Sequence, residues 1–89
     1  LVAELEAVFL STTEASLATL KRAIEQGDAE TCHKEAHALK GAAASVTATV
    51  IREGAARIEA RVKQGDLAGA ATELTALENI FGAYVLMPH

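Results

Sequence analysis

One stretch of this chain combines a reactive side chain with a cation and several small neighbours: residues 37–45 are His-Ala-Leu-Lys-Gly-Ala-Ala-Ala-Ser. On a helix, residues three and four apart share a face, so Lys40 and Gly41 lie beside His37. An exposed imidazole is largely neutral at pH 7 and carries a free nucleophilic nitrogen. That nitrogen can accept a phosphoryl group, and a neighbouring lysine can offset the added negative charge.

Gly41 interrupts an alanine-rich run that otherwise favours a helix. Glycine is about 1 kcal/mol less favourable than alanine inside a helix, so its presence here needs a physical reason. We expect that reason to be close approach by another molecule, with Gly41 and Ala44 keeping the surface beside His37 clear. Transfer of a phosphoryl group between an acyl phosphate and a histidine demands mainly in-line positioning and charge compensation. An accessible histidine next to a lysine fits both demands.

His33 and His37 also permit a metal interpretation, because two histidines four residues apart on a helix can reach one zinc ion. Their order is not that of the zinc protease motif His-Glu-x-x-His, since Glu35 points about 200° away from His33 on the helix. No third ligand is evident nearby. We therefore expect no metal site, and we interpret His33 as a solvated neighbour of His37.

Two near-identical sequence marks, Gln-Gly-Asp at 26–28 and at 64–66, divide the chain into helices. Glycine after a helix takes the left-handed conformation, and the aspartate that follows can cap the next helix. A third break is predicted at 46–50, where β-branched residues are concentrated. The predicted helices cover 2–26, 28–46, 49–64 and 66–86. Short connections favour antiparallel neighbours, so the predicted fold class is all-α, an antiparallel up-down-up-down four-helix bundle.

Apolar residues of each predicted helix recur at the spacing of a bundle core. In the second helix this inner stripe is Cys32, Ala36, Leu39, Ala43 and Val46. The stripes of the first, third and fourth helices are Leu5, Val8, Phe9, Leu17, Leu20, Ile24, Ile51, Ala55, Ile58, Val62, Leu67, Ala70, Leu74, Leu77, Phe81 and Tyr84. At about 100° per residue, His37 lies roughly 140° from the middle of the second stripe and is predicted to project towards solvent.

Length and composition limit the possible functions. With 89 residues, we expect one domain that is too small to hold both a nucleotide site and a catalytic centre. A net charge of -4 disfavours binding to nucleic acid. No apolar run approaches the ~20 residues that span a bilayer, so no membrane insertion is expected. The single cysteine, Cys32, agrees with a reducing compartment, and we expect a cytoplasmic, monomeric domain.

Residues 36–46 closely resemble the signature of histidine-containing phosphotransfer (HPt) domains of bacterial multistep phosphorelays. The resemblance covers nearly the whole chain. The long helix and Gly-Asp turn of the family resemble residues 17–28. Its downstream pattern is similar to residues 55–59, 65–67 and 74–81.

The resemblance implies roles for four residues. His37 would be the phospho-accepting residue, through Nε2. Lys40 resembles the family lysine beside the phosphate, and Gly41 resembles the glycine that keeps the approach open. Glu59, one step round its helix from the inward Ile58, would hold the other ring nitrogen of His37 and so fix its tautomer.

Two positions depart from the family pattern. Many relatives carry glycine where this chain has Ala44 and Thr47. Ala44 is still small, whereas Thr47 is expected to alter the turn after the second helix. These departures concern local geometry more than function.

The resemblance implies a non-catalytic phosphocarrier that belongs to a signalling system. The phosphoryl group would reach His37 from an aspartyl phosphate on a response-regulator receiver domain and pass to another receiver. The receiver would supply Mg²⁺ and most of the catalytic groups, and no cofactor or metal is expected on this chain. Residues 1–89 would form a single HPt domain cut from a longer protein such as a hybrid sensor histidine kinase, whose membrane attachment would lie elsewhere.

Other interpretations stay open. The phosphotransfer domain of a chemotaxis kinase has the same fold but receives phosphate from ATP through a separate catalytic domain. The dimerisation helix pair of a histidine kinase fits less well, because its usual proline after the histidine motif is absent. An inert structural or docking bundle would take up no phosphate, and a metal-binding protein would lose zinc in His33→Ala.

Overall fold

The computed structural model describes residues 2–86, with side chains described from residue 7 onward. Over this range the fold is all-helical and contains four helices. These are α1 (Val2–Glu25), α2 (Ala29–Ser45), α3 (Thr49–Lys63) and α4 (Leu67–Leu86). The predicted all-α class is confirmed, and each predicted helix end lies within one residue of the observed end.

The two Gly-Asp marks form the same tight turn. Gly27 and Gly65 have φ of 70° and 73°, in the left-handed region that glycine adopts without steric cost. In each turn the glycine amide and the amide after it donate to carbonyls of the preceding helix, which is the Schellman arrangement. Asp28 then caps α2 by accepting from the Thr31 amide at 3.1 Å. Asp66 accepts in the same way at the start of α4, so both predicted turns and caps are confirmed.

The third turn, between α2 and α3, has this hydrogen-bond pattern without a glycine. Thr47 donates to Ala44 at 3.2 Å and Ala48 donates to Ala43 at 2.8 Å, as in the other two turns. Thr47 has φ of 61°. A left-handed conformation costs a residue with a Cβ roughly 1–2 kcal/mol. The turn thus keeps its hydrogen bonds and carries local backbone strain at Thr47.

Most of the predicted stripes form the core. The predicted stripe residues that are buried in it are Phe9, Leu17, Leu20, Cys32, Ala36, Leu39, Ala43, Ile51, Ala55, Ile58, Val62, Ala70, Leu74 and Leu77. Partly buried members that pack against them are Ile24, Val46, Leu67, Phe81 and Tyr84. The prediction for Val8 is wrong: its side chain is 64% exposed because the next residue, Phe9, takes the core position. Phe9 packs edge-on against Tyr84, and Leu5 lies outside the described side chains.

The main contacts of each helix are with two others: α1 packs against α2 and α4, and α3 packs against α2 and α4. Helix α4 comes close to α3 at Gly54, where an added Cβ would lie 2.6 Å from Cδ1 of Leu77. Over the described residues, none of the helices is long and apolar enough to cross a membrane. The contact between α2 and α3 matters most for function, because those two helices carry the residues singled out above.

Candidate functional site

His37 lies on the outer face of α2. Its side chain is 67% exposed, as the helical wheel predicts, because Ala36 and Leu39 take the inward face of the same turns. The ring nevertheless contacts the neighbouring helix. Its Nδ1 atom lies 2.9 Å from Oε2 of Glu59 on α3. The structure therefore brings together His37 and the glutamate that the family resemblance assigned to it.

Glu59 is a buried carboxylate, with a side chain that is 6% exposed. Besides the contact with His37, its Oε1 accepts a hydrogen bond from Nζ of Lys40 at 2.6 Å. The Lys40 hydrogen bond holds the pKa of Glu59 below its ordinary value against the opposing effect of burial, and the His37 hydrogen bond lowers it further. Glu59 is thus an ionised carboxylate at neutral pH, able only to accept hydrogen bonds.

The charge of Glu59 determines which nitrogen of His37 carries the proton. An ionised carboxylate has no hydrogen to donate, so Nδ1 of a hydrogen-bonded imidazole must be the N–H nitrogen. In the neutral ring the lone pair is then on Nε2. A buried acceptor at Nδ1 also fixes the tautomer and the orientation of the ring, as it does for histidines that bind metals. This arrangement provides a nucleophilic nitrogen on an exposed ring.

Lys40 is near His37, as predicted, but its ammonium group contacts Glu59 in this structure. The side chain is 34% exposed, so it lies between the buried carboxylate and solvent. An ammonium group has three N–H donors, but Nζ is held at the carboxylate that contacts Nδ1 of His37, whereas the phosphoryl group would be bound at Nε2. The predicted role of Lys40 in charge compensation stays a prediction, to which the structure adds an ion pair that the sequence did not indicate.

The sequence predicted that His33 is a solvated neighbour of His37, but in the structure His33 also lies close to Glu59. Its Nε2 atom lies 3.5 Å from Oε2 of Glu59. Its ring is nearly parallel to that of His37, with planes 8° apart and centroids separated by 6.3 Å. The spacing of four residues was the available signal, but the sequence did not show that both rings face the same glutamate. Within the described residues, no group of three His, Cys, Asp or Glu side chains could hold a metal ion.

The surface beyond His37 is open. Gly41 and Ala44 are exposed, and a Cβ added to Gly41 would have no atom to contact within 4 Å. Packing within the described part of the protein thus gives no reason for glycine at this position. A shallow, mostly apolar groove lies between α1 and α2 and includes Ala42, the residue after Gly41. The residues that line it are Val8, Phe9, Thr12, Ala42, Ser45 and Val46.

A comparison with protein families identifies the family of this chain. The family model of the Hpt domain matches residues 4–84, which is most of the chain and includes all four helices. Comparisons with curated proteins and with solved structures give no significant match. Members of this family transfer phosphoryl groups through histidine in phosphorelays and interact with receiver domains. The match covers far more than half of the sequence, and the chain therefore belongs to the Hpt domain family.

Proposed function

We propose that this domain is a phosphocarrier in which Nε2 of His37 accepts a phosphoryl group from the aspartyl phosphate of one receiver domain and passes it to another. The observation that carries the proposal is the 2.9 Å contact between Nδ1 of His37 and the buried carboxylate of Glu59. That contact supports the tautomer needed for attack through Nε2. The family membership supports the class of reaction.

The transfer step is a displacement at phosphorus. The lone pair of Nε2 forms a P–N bond while the P–O bond to the receiver aspartate breaks, and the aspartate leaves as a free carboxylate. The Nδ1 proton stays on the ring, so positive charge develops on the imidazole of His37 as the P–N bond forms. Glu59 stabilises that charge at close range and in a buried position. Transfer to the second receiver is the reverse of this step.

The other groups of the site have supporting roles in this proposal. Lys40 offsets the negative charge of the phosphoryl group, and Gly41 leaves room for the partner. The receiver supplies Mg²⁺ and most of the catalytic groups, so this domain needs no cofactor of its own. The groove lined in part by Ala42 and Val46 offers the receiver an apolar contact surface on the side of α2 that faces α1.

The proposal includes the arrangement of the domain. The short turns and the contacts of each helix with its chain neighbours support an antiparallel up-down-up-down bundle. We propose that it acts as a monomer in the cytoplasm, as one HPt domain of a longer signalling protein.

The proposal is tested by incubating the purified domain with phosphorylated receiver domains. The wild type should acquire an acid-labile phosphate, and His37→Gln should acquire none. Circular dichroism of both proteins checks that the exposed substitution leaves the helices intact. Equal labelling of His37→Gln would overturn the assignment of the acceptor. No labelling of the wild type by any receiver would favour an inert docking bundle.

A further inference from the structure

Three donor groups surround the carboxylate of Glu59, and they differ in how closely they approach. Lys40 lies 2.6 Å from Oε1, and His37 lies 2.9 Å from Oε2. Nε2 of His33 is 3.5 Å from Oε2. That distance exceeds the 2.7–3.2 Å of a direct N–H···O hydrogen bond. His33 is thus next to the carboxylate without a close hydrogen bond, and the transfer step described above makes no use of it.

The proposed role of Lys40 conflicts with its observed contact. To offset the charge of a phosphoryl group on His37, the ammonium group must turn towards solvent and weaken its bond to Glu59. A buried carboxylate that loses a donor pays a desolvation penalty, which the hydrogen bond from His37 offsets only in part. Unless another donor takes its place, Glu59 therefore retains Lys40 and opposes its movement to the phosphate.

His33 is suited to supply that donor. Among the described residues, the side chains within ion-pair distance of Glu59 are His33, His37 and Lys40. Lys63, on the same helix as Glu59, acts on it electrostatically without lying within that distance. A shift of about 0.5 Å would bring the His33 ring to hydrogen-bond distance. Its side chain is 39% exposed, which leaves the ring room to make that shift.

We propose that His33 is a positioning residue that moves onto Glu59 when Lys40 turns to the phosphoryl group. The inference rests on the proposed function, because Lys40 moves only if His37 carries or receives phosphate. His33 then keeps Oε2 in place and the Nδ1 proton of His37 bound to it. Lys40 can thereby offset the phosphate charge without leaving Glu59 short of a donor.

Transfer rates of two His33 variants test the role of a donor at this position. His33→Ala removes the N–H group and should slow transfer by about tenfold, the worth of one hydrogen bond to a charged group. His33→Gln retains an N–H donor and should recover most of the rate. Lys34→Ala is the matched control, since Lys34 is exposed, adjacent in sequence and paired with Glu30 instead. Its rate should equal that of the wild type.

A double-mutant cycle tests whether His33 acts through Lys40. In the Lys40→Ala background His33 is the donor that replaces the lysine on Glu59, so adding His33→Ala should slow transfer by a larger factor than the same substitution does in the wild type. Independent residues would instead show additive effects. Full additivity would overturn the inference.

Nitrogen-15 NMR of the His33 ring gives a readout that a structural role would not change. The domain is phosphorylated chemically with phosphoramidate, in which the P–N bond to ammonia breaks and the bond to Nε2 of His37 forms. The His33 resonances should shift on phosphorylation of the wild type. They should be shifted already in unphosphorylated Lys40→Ala, where His33 can engage Glu59 at once. His37→Gln under the same treatment controls for direct modification of His33.

The outcomes separate this inference from the proposed function. A wild type that takes no phosphate from any receiver overturns the function, and the inference with it. A wild type that takes phosphate, with His33→Ala equally fast or with His33 resonances that do not respond, overturns only the inference. A slow His33→Ala, rescue by His33→Gln and the shifted resonances together support it.

Discussion

Gly41 offers a direct test of the partner surface, because stability and function should respond to its replacement in opposite directions. The residue is exposed within α2, and an added Cβ would contact nothing within 4 Å. Gly41→Ala should therefore stabilise the fold by about 1 kcal/mol through helix propensity alone. In a domain of this size that gain raises Tm by about 4–8 °C. Gly41→Leu should be at least as stable as the wild type, since leucine also favours a helix.

The same substitutions should impair transfer. A leucine side chain at this position occupies the space through which the receiver approaches His37. Because a displacement of about 1 Å in a reacting pair can reduce the rate roughly 100-fold, Gly41→Leu should slow transfer by about that factor. The smaller methyl group of Gly41→Ala should have an intermediate effect. The rates are measured by the transfer of phosphate from a labelled receiver, and stabilities by thermal unfolding followed with circular dichroism.

Gly82 is the matched control for both measurements. It is also an exposed helical glycine with nothing within 4 Å of an added Cβ, but it lies on α4. Gly82→Ala should raise Tm by a similar amount and leave the transfer rate unchanged. If Gly41→Leu transfers phosphate at the wild-type rate, Gly41 is not needed to keep the approach to His37 open. If Gly41→Ala lowers Tm, Gly41 has a structural role in α2 in addition to its effect on helix propensity.

Two further predictions concern stability. Thr47→Gly should stabilise the domain by up to about 1 kcal/mol, because the relief of left-handed strain exceeds the loss of entropy at glycine, and a lower midpoint in urea would contradict this. The pKa of Glu59 is lowered on folding, so its contribution to stability is complete above its ordinary value of 4.5 and declines as the pH falls through the lowered value. Glu59→Gln should therefore have a lower Tm than the wild type at pH 7, and the difference should shrink below pH 4.5, where protonation of Asp28 affects both proteins alike. A difference in Tm that stays constant down to pH 3 would show that Glu59 stabilises the fold by packing alone.

The helices and their turns were predictable because the signals for them are local. A glycine followed by an aspartate specifies the left-handed turn and the next cap within a few residues, and both Gly-Asp pairs behave this way. The orientation of His37 followed from the spacing of Ala36 and Leu39 on the same helix. These features depend on neighbours in sequence, which a single chain displays.

The contacts between helices were harder to predict. Glu59 lies beside the inward Ile58, but whether that side of α3 faces solvent or α2 depends on how the two helices pack. The sequence favoured neither outcome, and the resemblance to a family supplied the assignment. The involvement of His33 and the Lys40 ion pair depends on the same packing, so neither was evident before the structure.

The buried face of helix α1 was hard to predict because two of its residues are polar. Thr13 and Ser16 are buried, and with Phe9 and Leu20 they complete a stripe with steps of four, three and four residues. Their polar character hid that regularity, and the exposed Val8 was assigned to the core in their place. Within the described part of the chain the hydroxyl group of Thr13 has no hydrogen-bond partner, so its burial follows from its position and not from a polar contact.

The close contact at Gly54 links the His37 site to helix α4, although α4 supplies none of the reactive groups of that site. Gly54 lies five residues before Glu59, about 140° round α3 by helical geometry. Leu77 packs against the α3 backbone at Gly54, and this contact helps to set the rotation of α3 about its own axis, and hence the direction in which Glu59 points. A side chain at Gly54 would meet Cδ1 of Leu77, so either Leu77 or α3 would have to move, and a rotation of α3 would change the direction of Glu59. Substitutions in α4 can thus affect His37 indirectly, through the orientation of α3 and Glu59.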